Sequence, residues 1–124
     1  MGEMTSFGDL PTYRAAPAGA GPWPGLVVVH EAFGLDDEMR AHAGRLAGMG
    51  FLALVPDLFA RGRPAVCLAR TLAALRKGQG QAFDDIDATR ASLLADARCT
   101  GAVGVIGFCL GGGFALVLAG RPGW

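Results

Sequence analysis

The hydrophobic positions of the chain form short apolar runs that predict strands. Residues 26–29 and 51–55 are continuous apolar runs bounded by turn residues, a pattern typical of strands buried on both faces. A third run, residues 103–106, leads into a Gly-rich segment. Residues 12–15 predict a short edge strand, which a Pro- and Gly-rich loop separates from the first buried strand.

Between these runs, apolar residues recur at the three-to-four-residue spacing of helices. Asp36 is a predicted N-cap, and acidic residues follow it in the first turn of a helix that extends to about Gly48. Further helices are predicted over residues 66–75 and 83–95. The apolar anchors of the last of these are Phe83, Ile86, Leu93 and Leu94. Strands that alternate with helices predict an α/β fold with a largely parallel sheet.

Composition narrows the classes of protein that the chain can represent. At 124 residues it forms one domain, residues 1–124, and its 52% hydrophobic and 18% charged residues exclude intrinsic disorder. Eleven basic and eleven acidic residues argue against a nucleic-acid surface and a polybasic membrane patch. Cys67, Cys99 and Cys109 are too widely spaced to indicate a disulfide framework or a zinc site. With no signal-peptide pattern at the N-terminus, we expect a cytoplasmic location.

The segment Gly107-Phe108-Cys109-Leu110-Gly111 lies between a predicted strand and a predicted helix. This Gly-x-Cys-x-Gly pattern is the cysteine form of a nucleophile elbow, a sharp strand-to-helix turn that exposes its central residue. The close crossing of strand and helix requires glycine two residues before and two residues after the nucleophile. A thiol placed at a helix N-terminus is favoured in its nucleophilic thiolate form.

Two other interpretations of the same segment remain open at this point. A buried turn of small residues produces the pattern by chance, without any catalytic role. Residues 101–119 also carry no charge and are about as long as a bilayer-spanning helix. The glycines within that stretch divide it into strand, turn and helix, which favours the elbow over a membrane span.

Polar and turn residues follow three predicted strands, at residues 30–34, 56–62 and 107–111. In open α/β sheets, active sites lie at the carboxyl ends of strands. Taken in this order, His30-Glu31-Ala32-Phe33-Gly34, Pro56-Asp57-Leu58-Phe59-Ala60-Arg61-Gly62 and the cysteine elbow resemble the dienelactone hydrolase family of the α/β-hydrolase superfamily. The resemblance extends from about Pro22 to the C-terminus. It implies a three-layer, mostly parallel α/β-hydrolase-type sheet that is truncated on its C-terminal side.

The resemblance also implies a reaction and a set of residues. Cys109 would attack the carbonyl of a small ester or lactone and form a thioester that water then hydrolyses. The backbone N–H groups of Leu110 and Ala32 would form the oxyanion hole. Glu31 would modulate the proton of the thiol, although a carboxylate bonded to loop amides is the alternative. This acyl-transfer chemistry requires neither a metal nor an organic cofactor.

Three residues are candidates for binding the substrate. The family's typical substrates are acids, so the resemblance implies that Arg61 neutralises a substrate carboxylate, the alternative being a solvated surface residue. Arg76 competes for the same role, and the residues alone do not choose between them. Phe33, in the loop that carries Ala32, is the third candidate. Asp57, which follows Pro56 at a strand end, is interpreted as a loop cap rather than the catalytic acid.

A base for the cysteine is missing from the expected place. In α/β hydrolases an acid and a histidine follow the nucleophile in the chain, but neither occurs after Cys109. His30 and His42 lie upstream and are interpreted as structural. The alternative function is therefore a truncated, catalytically incompetent chain that binds a partner or ligand, or is a fragment. The strand before Cys109 would then be left as an exposed sheet edge that favours self-association.

Overall fold

The computed structural model describes residues 2–124, which form one mixed sheet with helices on both faces. In chain order the elements are β1 (Gly2–Phe7), β2 (Leu10–Ala15), β3 (Trp23–Val29), α1 (Asp37–Gly48), β4 (Leu52–Pro56), α2 (Pro64–Lys77), α3 (Gln81–Ala95), β5 (Cys99–Gly107) and α4 (Leu110–Ala119). The predicted α/β class is confirmed. Each predicted helix and strand is present, with ends that differ by a few residues.

The sheet has the strand order β1-β2-β4-β3-β5. Strand β3 pairs in parallel with both β4 and β5, whereas β2 pairs antiparallel with β1 and β4. The prediction that the strand around residues 12–15 is an edge is wrong. Tyr13 of β2 lies between Met4 of β1 and Val55 of β4. A two-residue turn, Gly8-Asp9 with Gly8 at φ +64°, closes the hairpin that supplies β1.

Alternate side chains of the central strands point to opposite faces, which produces three layers. On one face, Val28, Ala53 and Val55 pack against α1. On the other face, Val27 and Leu54 belong to a second cluster with side chains of α3 and α4. Strands covered on both faces read as continuous apolar runs, which is why residues 26–29 and 51–55 were recognisable from sequence.

The ends of the helices follow local rules. Asp36 caps α1 as predicted, accepting a hydrogen bond from the Met39 N–H at 3.0 Å. Helix α2 begins at Pro64 and is followed by Gly78 in the left-handed region at φ +72°. In α3, Phe83, Ile86 and Leu93 are buried as predicted. Leu94 was wrongly predicted as an anchor, because it faces solvent with 46% of its surface exposed.

The uncharged stretch over residues 101–119 is divided among three structural units. It contains most of β5, the turn at Cys109 and all of α4, so the single membrane-spanning helix considered above is wrong for this segment. Within residues 2–124, no helix combines the length and the apolar character that a bilayer crossing requires.

Candidate active site

Cys109 lies at the tip of the turn between β5 and α4, in a strained backbone conformation. Its φ is +53° and its ψ is −108°, and no other non-glycine residue in the described chain, residues 2–124, has a positive φ. Holding a non-glycine residue in such a region costs about 1–3 kcal/mol, which the surrounding structure must offset. The Cys109 side chain is exposed to solvent. The turn therefore presents the thiol outward at the carboxyl end of β5.

The two glycines that flank Cys109 are required by close backbone contacts. A Cβ atom on Gly107 would lie 1.9 Å from the Gly111 carbonyl oxygen. A Cβ on Gly111 would lie 2.1 Å from the Val29 carbonyl oxygen and 3.1 Å from that of His30. Both glycines are needed because strand and helix cross without room for a side chain, as the sequence predicts.

The end of β3 is attached to the elbow. The Phe108 N–H donates to the Val29 carbonyl at 3.1 Å, and the following loop turns back through a Gly34 N–H to Glu31 carbonyl bond of 3.0 Å. The two predicted oxyanion-hole amides, Ala32 on this loop and Leu110 at the first position of α4, have no hydrogen-bond acceptor among residues 2–124. Both N–H groups are thus available to a ligand.

His30 is buried beneath this loop and both of its ring nitrogens are engaged. Nδ1 lies 2.8 Å from the Glu31 carbonyl oxygen, and Nε2 accepts the Leu58 N–H at 3.0 Å. These partners define one neutral tautomer, with the proton on Nδ1. Burial lowers the pKa of His30 from its ordinary value, although the Glu31 carbonyl and nearby carboxylates oppose the shift. His30 therefore links two loops, in agreement with its structural interpretation.

His42 has a contact that the sequence pattern did not reveal. Its ring stacks on Phe108, the residue before the candidate nucleophile, with centroids 4.3 Å apart and planes 9° apart. Its Nδ1 also contacts the Arg45 guanidinium, and its Nε2 lies 3.8 Å from a Glu38 carboxylate oxygen. Helix α1 thereby supports the elbow from the side. Only the fold could show this, because residues 42 and 108 are far apart in sequence.

Glu31 lies in a group of carboxylates at the end of β3. It is half-buried, and one oxygen each of Glu31, Asp36 and Glu38 lie within 4.8 Å of one another. Asp36 already caps α1. Glu31 directly follows His30, whose carbonyl oxygen would lie 3.1 Å from a Cβ at Gly111 of the elbow. Exposed carboxylates commonly cluster without a cation, and these oxygens alone do not indicate a metal.

The candidate substrate-binding residues differ in their exposure and in whether their side chains are already paired. The Arg61 guanidinium pairs with the Asp85 carboxylate at 2.5 Å and with Asp9 at 3.1 Å, and both hydrogen bonds raise its pKa. Arg76 is exposed and forms no ion pair within the described residues. Phe33 exposes 81% of its surface beside the candidate oxyanion-hole loop.

Asp57 has the local role that its position predicts. Its carboxylate accepts the Phe59 N–H at 3.0 Å, and its own N–H donates to the Pro11 carbonyl at 2.9 Å. This arrangement shapes the loop after β4 and brings Leu58 to His30. Asp57 is therefore a loop cap, as predicted.

A strained, exposed cysteine at a strand–turn–helix junction above parallel strands matches the geometry of the nucleophile elbow in the α/β-hydrolase class. Comparison with known sequences and structures identifies a family within this class. The model of the Dienelactone hydrolase family matches residues 10–123. The chain belongs to the dienelactone hydrolase family, which confirms the resemblance seen in its motifs.

Individual relatives agree with this assignment. A putative carboxymethylenebutenolidase of Methylorubrum extorquens is 34% identical over 111 residues, covering 85% of this chain and 38% of the relative. A carboxymethylenebutenolidase of Pseudomonas putida is 33% identical, covering 94% of this chain and 51% of the relative. The crystal structure of a putative dienelactone hydrolase from Klebsiella pneumoniae matches with a TM-score of 0.76 and 29% identity, covering 98% of this chain and 55% of that one. The chain thus spans about half the length of these relatives or less.

Proposed function

We propose that this chain carries the acylation site of a hydrolase that acts on small esters or lactones through Cys109. The observation that carries the proposal is the backbone of Cys109, which is held at φ +53° between two glycines that no other residue can replace without overlap. A strained, exposed residue at this position is the geometry of a nucleophile. The family's named relatives support the same reaction class.

The proposed chemistry is acyl transfer. The Cys109 sulfur forms a bond to the substrate carbonyl carbon, the bond to the alcohol or phenol oxygen breaks, and that oxygen leaves with the electron pair. The resulting thioester is cleaved when water adds to the same carbon. The N–H groups of Ala32 and Leu110 would hold the carbonyl oxygen as it gains negative charge. Loss of one such donor raises the barrier by about 2.7–4 kcal/mol in comparable sites.

The remaining residues would modulate this step. Glu31 would accept the thiol proton once substrate displaces its side chain, or oppose ionisation of the thiol in the empty site. Phe33 would cover the apolar part of the substrate. For a substrate carboxylate, Arg76 is the candidate whose charge is unpaired, whereas Arg61 would have to exchange Asp9 or Asp85 for the ligand.

A second candidate function is a site that is acylated but does not turn over. It is favoured by the histidines, because His30 has both nitrogens engaged and His42 stacks on Phe108 rather than on the thiol. In that case the chain would act as a ligand- or partner-binding hydrolase-like protein. Self-association through β5, at the end of the sheet, is proposed as part of this second function. For either function we propose a cytoplasmic location, since free thiols persist in reducing compartments.

The test is the reaction of the purified 124-residue chain with p-nitrophenyl acetate. Nitrophenolate release is compared among the wild type, Cys109→Ala and Cys99→Ala, the last being a matched thiol that is half-buried and outside the elbow. We expect release of at least one nitrophenolate per chain in the wild type and in Cys99→Ala, and none in Cys109→Ala.

The time course separates the two functions. Sustained release supports complete hydrolysis, whereas a single stoichiometric burst supports acylation without turnover, and mass spectrometry would then show an acetyl group on Cys109. Equal release from the wild type and Cys109→Ala would overturn both. Size-exclusion chromatography with light scattering on the same samples reports whether the chain self-associates, and a monomer at all concentrations argues against the β5 contact.

A further inference from the structure

A pocket of about 330 Å³ lies between α2, α3 and the loop after β4. No residue of the loop at 30–34 or of the elbow at 107–111 lines it, and Arg61 is the one candidate substrate-binding residue in its wall. Its volume falls at the lower end of the range of small-molecule sites, about 300–1,000 Å³. The pocket can therefore hold a small ligand.

The wall of the pocket is positively charged. Arg61, Arg70 and Lys77 line it together with a single acid, Asp85. That carboxylate is already satisfied within the wall, since one oxygen accepts from Arg61 at 2.5 Å and the other from the Gln81 amide at 2.9 Å. Arg70 and Lys77 form no ion pair within residues 2–124. Two cations at the pocket are thus left without a compensating carboxylate.

The remainder of the lining is largely apolar. Leu58, Cys67, Ala74 and Ala82 are buried side chains that face this space. A ligand suited to these walls has an anionic group for Arg70 and Lys77 and a compact apolar body for the aliphatic side chains. Inorganic anions match the charge but leave the apolar walls unfilled.

We propose that this pocket binds a small organic carboxylate with an aromatic or aliphatic body, held by Arg70 and Lys77. Binding by Arg70 and Lys77 does not depend on the proposed hydrolase function, because neither residue is assigned to the site around Cys109, and Arg61 is the only wall residue that the two sites could share. The site would let a carboxylic acid occupy the chain while the elbow remains open.

The experiment is a titration of the ¹⁵N-labelled chain with benzoate at constant ionic strength, followed by the amide resonances of the wild type. Benzyl alcohol provides a neutral ligand of similar shape. We expect saturable shifts at Thr71 and Ala82, which line the pocket, and no saturable shifts at residues 107–111. Benzyl alcohol should bind at least about fivefold more weakly, because it lacks the charge.

Two variants and one control complete the test. The double variant Arg70→Gln/Lys77→Gln should weaken benzoate binding by about fivefold or more, and Arg63→Gln, an exposed cation outside the pocket, should leave it unchanged. Ala73→Phe keeps both cations but fills the pocket, and should abolish the shifts even if the double variant folds poorly. Equal binding of benzoate by wild type and Ala73→Phe, equal binding of benzyl alcohol, or shifts confined to the elbow would each overturn the proposal.

Discussion

Replacing Gly111 with alanine provides the sharpest test of the elbow geometry. The new Cβ would lie 2.1 Å from the Val29 carbonyl oxygen and 2.7 Å from its carbon. Cβ atoms in folded proteins essentially never lie closer than 3.0 Å to a non-bonded heavy atom. The obstacle is backbone of the central strand β3, so no side-chain rotation can relieve the overlap.

The destabilisation expected from Gly111→Ala depends on how far α4 must move away from β3. To restore an ordinary contact of at least 3.4 Å, α4 has to shift away from β3 by more than 1 Å, and this also displaces the Phe108 N–H from the Val29 carbonyl. Overpacking of this kind costs about 1–3 kcal/mol, and the rigid backbone places this site at the upper end. We therefore expect Gly111→Ala to lower the free energy of unfolding by about 2 kcal/mol or more.

The neighbouring glycine supplies a matched control. A Cβ on Gly112 would meet only the Gly107 carbonyl oxygen, at 3.7 Å, which is an ordinary contact. Because alanine is favoured over glycine within a helix, Gly112→Ala should raise the free energy of unfolding by about 0.5–1 kcal/mol. Urea unfolding followed by circular dichroism measures both variants. If Gly111→Ala is as stable as Gly112→Ala, the close crossing of β3 and α4 described here is wrong.

Three further changes test other parts of the site. Glycine adopts a positive φ without strain, so Cys109→Gly should raise the free energy of unfolding by about 1 kcal/mol in urea titrations. The same change should eliminate the nitrophenolate burst. A lower free energy of unfolding would contradict the inferred strain at Cys109. Because burial lowers the pKa of His30 in the folded chain, its contribution to stability is present above pH 6.5 and is lost as the pH falls through the folded pKa. His30→Gln should therefore flatten the curve of unfolding free energy against pH in that range. Arg61→Met leaves its buried carboxylate partner with one donor fewer and should cost about 2 kcal/mol in thermal unfolding, whereas Arg63→Met, exposed and unpaired, serves as the silent control.

The strained conformation of Cys109 is maintained by contacts with neighbouring elements. Cys109 is held in its conformation by the crossing at Gly111, by the bond from Phe108 to β3 and by the stack of Phe108 on His42. Two of these supports come from Val29 of β3 and the third comes from α1, so the exposed thiol is fixed without burying it. A substitution in any of these supports should affect the reactivity of the thiol as well as stability.

Local patterns in the sequence were sufficient for the elements and for the elbow. The apolar runs of β3 and β4 are continuous because both faces of the sheet are covered, and Asp36 caps α1 through atoms three residues away. Gly107 and Gly111 are explained by a crossing that involves a short stretch of chain and the strand beside it. The Gly8-Asp9 turn was also a readable hairpin signal, and overlooking it led to the wrong edge strand.

The roles of polar side chains depended on partners distant in sequence. His30 is a structural link because the Leu58 N–H, 28 residues later, reaches its Nε2. Arg61 is committed to Asp85, 24 residues away on α3, and the pocket between α2 and α3 exists only once those helices pack. Periodicity and capping are short-range properties that a sequence displays directly, so the sequence by itself determined the fold class and the candidate nucleophile. Which charges are paired, and what each histidine contacts, is decided by long-range packing, and only the tertiary structure could show it.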